Sequence, residues 1–128
     1  MSKYYQGYYQ NGYLATRAIV NVTDDYGTRK LSVLPSLRLA DHSPTGFEWG
    51  YNGSGPLQLS LAMILDSTFD EAFALANYAE FAQEIIGLLP HVWGLWLPAL
   101  AAGQPFTAWM GGCHYPVCLG VPDAAGQI

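Results

Sequence analysis

With 128 residues and 14.0 kDa the chain can bury one hydrophobic core but not two, so it reads as a single domain spanning 1–128. Apolar residues make up 51% and charged ones 12%, about half the usual charged share, and a surface so poor in charge implies a cover such as a partner chain, a second copy or a lipid face. The chain is acidic, and its basic residues all lie at or before Arg38, leaving eight carboxylates and no Lys or Arg beyond it. That distribution argues against direct nucleic-acid binding, which needs clustered cations, while the carboxylates are too dilute to imitate a phosphate backbone.

The N-terminus Met1-Ser2-Lys3-Tyr4-Tyr5-Gln6 turns polar and aromatic at once, without the apolar run of a signal peptide. A cytoplasmic location is the expectation, with Cys113 and Cys118 reduced unless they bind metal or act in redox chemistry. Residues 3–34 read as a small antiparallel sheet of about three strands. Tyr4, Tyr5, Tyr8 and Tyr9 lie on the first, Asn11-Gly12 offers a tight turn, Tyr13 to Val22 follows, and Thr28 to Leu34 forms the third strand before Pro35. On such a sheet alternate tyrosines cover a core or face water, although the stripe extended by Tyr13 also suits base or sugar stacking.

Residues 35–55 read as loop, and helical spacing begins at Pro56, with Ser54 or Gly55 as cap and Leu57, Leu61, Ile64 and Leu65 on one face. Thr68 with Glu71 resembles a capping box opening a second helix from about Phe69 to Ile86. Ala72, Leu75, Ala76, Ala79, Ala82, Ile85 and Ile86 form its apolar side, and Asp70, Asn77, Glu80, Gln83 and Glu84 its polar side. The helical region is expected to reach about residue 102 through a short helix near Val92 to Ala102, with an irregular aromatic tail over 103–128. No charged residue occurs from Ile85 to Pro122, but Pro90, Pro98 and Pro105 break any apolar run long enough to span a membrane. The expected fold class is therefore α+β, a small sheet with two or three helices packed on one face.

The segment from Asp41 to Pro56, His-Ser-Pro-Thr-Gly-Phe-Glu-Trp-Gly-Tyr-Asn-Gly-Ser-Gly-Pro after its first residue, resembles a family of small bacterial, plasmid and phage domains of unknown function. The likeness extends to the Leu/Ala-rich helix and to Tyr78 and Phe81 in the next, over about residues 3–93. It implies a fold and a genomic setting, with no activity to carry over. The uncharged tail departs from the short charged ending such domains usually have.

Three constellations are candidates for chemistry. His42, Glu48, Tyr51, Gly53, Ser54 and Gly55 could form a ligand or anion site at a helix N-terminus, but no triad order is present and no Lys follows as in a P-loop; the plainer reading is a turn fixed by its own hydrogen bonds. Cys113 and Cys118, with His114 between, are weak zinc candidates, being short of four ligands; free thiols and a disulfide are the other readings. Trp93, Trp96, Phe106, Trp109 and Tyr115 form either an aromatic interface or the closure of the domain's own core. The function expected is that of a non-enzymatic interaction protein of a phage or mobile element, an anti-defence inhibitor of a host complex, with no cofactor. A ligand-binding domain or enzyme using the His42–Ser54 loop and a structural homodimer are the alternatives.

Overall fold

The computed structural model describes residues 2–11 and 16–114. Its strands are β1 (Lys3–Asn11), β2 (Thr16–Asp24), β3 (Gly27–Lys30) and β4 (Trp93–Leu97), in one antiparallel sheet of order β3-β2-β1-β4. The helices are α1 (Leu34–Leu37), α2 (Ser54–Thr68), α3 (Glu71–Glu84) and α4 (Phe106–Gly111), with a 3₁₀ turn at Ile86–Leu88. The architecture is α+β, as the residue pattern predicts. No helix among the described residues is long and apolar enough to cross a membrane.

The sheet's register follows from side-chain alternation. Tyr5 pairs with Val22 and Leu95, and all three are buried; Gln6, on the opposite face, pairs with Asn21 and Gly94. Gly7 stands opposite Trp93, whose indole lies on the glycine so closely that a Cβ there would overlap the ring. The glycine therefore makes room for the aromatic ring across the strand pair. Gly12 of the expected turn and Tyr13 lie outside the described residues.

Several expectations need correction. The third strand ends at Lys30, and Pro35 opens α1 rather than stopping a strand, because its fixed φ suits a first helical turn. Residues 93–97 form β4 rather than a helix: Trp93, Leu95 and Leu97 turn inward while Gly94 and Trp96 turn outward, a period of two. The presumed irregular tail contains α4 over Phe106–Gly111. Finally, α3 is capped by Asp70, whose carboxylate accepts the Phe73 amide, while Thr68 turns its hydroxyl back to Ile64 O.

The helix α2 is the centre of the molecule, with ten of its fifteen residues buried. It carries Leu59, Leu61, Met63 and Ile64 into a core shared with Tyr5, Val22, Leu95 and Leu97 from the sheet. Its phase is not a single stripe because α1, α3 and the 3₁₀ turn also pack on it. Ser60 and Ser67 are buried there and satisfied, Ser60 Oγ donating to Tyr78 O at 2.7 Å and Ser67 Oγ to Ile64 O. The helix α3 is rotated relative to the expectation: Ala74, Phe81 and Ala82 are buried, while Ala72, Leu75, Ala76 and Ala79 face outward. Phe73 and Phe81 fix that rotation by packing on Trp109 of α4, at 5.6 Å between ring centroids in both cases.

Candidate functional site

The segment preceding α2 is fastened by one buried side chain. Gln58 Oε1 accepts the amides of His42 at 2.7 Å and Ser43 at 2.9 Å, and Gln58 Nε2 donates to Ser36 Oγ and Ala40 O. All four side-chain bonding directions are thereby used, which ties the loop and α1 to the central helix. His42 turns its ring to Tyr78, Nε2 to hydroxyl 2.7 Å, and Ser43 Oγ donates to Gly46 O. His42 and Ser43 are thus each engaged elsewhere and do not form a nucleophile–base pair.

Farther along the loop, Trp49 is buried and donates its indole N–H to His91 O, and the Gly50 amide donates to Ile86 O. Tyr51 hydroxyl bonds the Glu48 carboxylate, which pushes the phenol up to about 12, with burial a smaller cause. Gly53 is the N-cap of α2, followed by Ser54. A Cβ at Gly55 would stand 2.7 Å from Glu48 Cβ, so that glycine allows the loop to lie against the helix. The Glu48 stem covers this N-terminus, and the negative charge it brings near disfavours an incoming phosphate. Of the six loop residues, Glu48 and Tyr51 bond each other, Glu48 packs on Gly55, and His42 turns away to Tyr78.

The aromatic set divides. Trp93, Phe106 and Trp109 are buried, and Trp109 donates its indole N–H to Pro98 O at 2.9 Å, so these three close the chain's own core instead of standing on an exposed surface. Trp93 Nε1 is buried without a hydrogen-bond partner. Trp96 lies on the other face of β4, half-buried, against Tyr4 at 4.9 Å and stacked with His114 at 6.1 Å. His114 pairs with Trp96 through two backbone bonds. On the same face Tyr8 is 37% exposed, and Gln6, Gln10, Arg17 and Lys30 are exposed with it. Tyr115 lies outside the described residues.

Cys113 is a free cysteine against the Trp109 carbonyl, and burial pushes its thiol up to about 12. Zinc ligation needs the thiolate, which that shift disfavours, and no group of three or more ligating side chains occurs among the described residues. Cys118 lies outside them.

A polar cluster invisible in the local sequence forms where β1, β3 and the end of α2 meet. The Asp66 carboxylate accepts Tyr5 hydroxyl at 2.6 Å and Arg29 Nη2 at 2.8 Å on separate oxygens; Lys3 Nζ bonds the Asp66 carbonyl at 2.9 Å and stands 3.4 Å from its carboxylate. Burial, with the carboxylate beside it, raises the Tyr5 phenol well above its ordinary value. Lys3 also lies over the Phe69 ring, 4.5 Å from its centroid. Beside the cluster is a cleft of about 340 Å³ whose lining includes Leu31, Pro35, Leu65 and Phe69 together with Arg29 and Asp66. The one local signal for this cluster is that Asp66 interrupts an otherwise uncharged helix from Leu57 to Ser67.

No curated protein and no solved structure matches the chain. A family model matches residues 8–98, which include β2, β3, the loop, α2, α3 and β4, and the chain accordingly belongs to a family of unknown function (DUF6166).

Proposed function

We propose that the protein is a non-enzymatic interaction protein that binds a protein partner through the face of its sheet opposite the helical layer. The observation that carries this reading is the aromatic row Tyr4, Trp96 and His114 beside exposed Tyr8 on a sheet whose other face is covered by helices. Tyr and Trp supply large contact area at small entropic cost, and they dominate the energetics of known interfaces. Arg17 and Lys30 on the same face favour an acidic partner surface. Polar groups of the 42–55 loop are engaged within the loop and by Gln58 and Tyr78, which supports a structural role over catalysis there. The likeness to phage and plasmid domains suggests the partner class, a host complex that the protein inhibits as an anti-defence factor in the cytoplasm.

Affinity capture from a bacterial host tests the reading, with the full chain compared against the double variant Tyr8→Ala, Trp96→Ala. A stoichiometric partner retained by the full chain and lost by the variant is the expected result, with the circular dichroism of the two unchanged. Capture that survives both substitutions would overturn the assignment of this face. If light scattering gives a dimer that the same variant dissociates, the partner is a second copy.

A further inference from the structure

The cleft beside Asp66 has the features of a built binding site. Ser36 Oγ donates to Val33 O and accepts from Gln58, Ser32 Oγ accepts the Leu34 amide, and Asp66 holds Lys3, Tyr5 and Arg29. Arg29 is the exception. Only its Nη2 is engaged, and its side chain remains 48% exposed, so most of its five N–H donors remain available. Asp66 holds the guanidinium through Nη2 and is itself fixed by Tyr5 and Lys3, which is how a binding arginine is pre-organised.

Two cations, Lys3 and Arg29, stand against the Asp66 carboxylate, and Asp24 also acts on Arg29 electrostatically. Glu71 also lines the cleft, but it stands in the exposed first turn of α3, where water and salt screen it. Phe69 adds an independent observation. It occupies the left-handed region at φ 56°, the helix-end position that favours glycine, and the residue is 78% exposed. Folding gains little from an aromatic held there, whereas the cleft gains a wall.

The geometry points to a site for a small apolar molecule bearing one carboxylate, its body between Leu31, Pro35, Leu65 and Phe69 and its carboxylate on the Arg29 guanidinium. The volume lies at the small end of pockets that bind such molecules. A carboxylate placed there meets a planar fork of donors already oriented, and its apolar end is removed from water. This site is on the opposite side of the sheet from the proposed partner face, and the two readings stand or fall separately.

Amide NMR of the full chain, titrated with phenylacetate and in parallel with phenylacetamide, tests the inference. Phenylacetate is expected to saturate with a dissociation constant of about 1 mM and to shift the amides of Leu31, Ser32, Leu65 and Phe69. The neutral amide should bind at least about tenfold more weakly. Arg29→Gln should erase the difference between the two ligands, and Phe69→Gly, which relaxes the backbone, should weaken both while preserving the spectrum elsewhere. Equal affinities for acid and amide, absence of saturation, or shifts confined to other regions would overturn the site. Partner capture by Arg29→Gln should remain intact.

Discussion

Gln58 carries more of the loop's structure than any residue of the glycine-rich segment. Its side chain is fully buried, and Gln58→Ala would leave the His42 and Ser43 amides without their acceptor. The expected loss is about 3 kcal/mol, the sum of stranded buried donors and a cavity, read as a lower urea midpoint at unchanged slope. Gln58→Glu should restore less than half of that, since it keeps the acceptor but loses both Nε2 donations and buries a charge. The role of Gln58 could not be read from the sequence, where it is one polar residue in an apolar helix facing residues 15 to 22 positions earlier. The Asp66 cluster was hidden for the same reason, its partners Arg29, Tyr5 and Lys3 being 37, 61 and 63 residues distant. What the local pattern did convey was the tightness of the 42–55 turn, because hydroxyl, amide and glycine residues satisfy their backbone within a few positions.

At the scale of elements, the sheet's hairpin and both long helices were legible because β-branched alternation and helix-start chemistry act over short distances. The fourth strand was not. Trp93-Gly94-Leu95-Trp96-Leu97 is apolar at nearly every position, so its alternation is masked, and its partner β1 lies about 90 residues earlier. The rotation of α3 was likewise set from outside, by Trp109 packing on Phe73 and Phe81, which outweighs its many alanines. The α2–α3 corner gives two sharp expectations. Asp70→Ala should cost about 1 kcal/mol and Thr68→Ala clearly less, since Asp70 caps α3 and Thr68 only bonds within the corner; the reverse order in chemical denaturation would restore the capping box. Phe69→Gly should leave the melting temperature nearly unchanged. It relieves a left-handed residue worth about 1–2 kcal/mol but forfeits the Lys3 contact and adds chain entropy, each about 0.5–1 kcal/mol.

Across the whole molecule, the groups with perturbed proton affinity all resist losing a proton, so the fold should be vulnerable to alkali. Cys113 is raised from 9.0 to about 12 by burial, and Tyr5 is raised from 10.0 by burial and by Asp66. A group that holds its proton more tightly when folded gives its full stabilisation below the unfolded value and loses it as pH climbs toward the folded one. Stability should therefore hold to about pH 8, fall mainly through Cys113 between 8 and 10, and fall more steeply above 10 as the unfolded chain also ionises Tyr5. Tyr51, raised to about 12 chiefly by Glu48, is 46% exposed and adds little because water screens the pair. One thiol accounts for at most about 1 kcal/mol between pH 9 and 10. Urea midpoints at pH 8, 9 and 10 check this: Cys113→Ala should be less stable at pH 8 for its lost packing, yet decline less than the parent from there to pH 10, keeping only the smaller loss through Tyr5. An identical decline in the two proteins would mean that the Cys113 thiol ionises as freely in the fold as in the open chain. Above pH 10 both should decline through Tyr5, whose bond to Asp66 is common to them, with the parent still falling faster until the folded thiol itself ionises near 12.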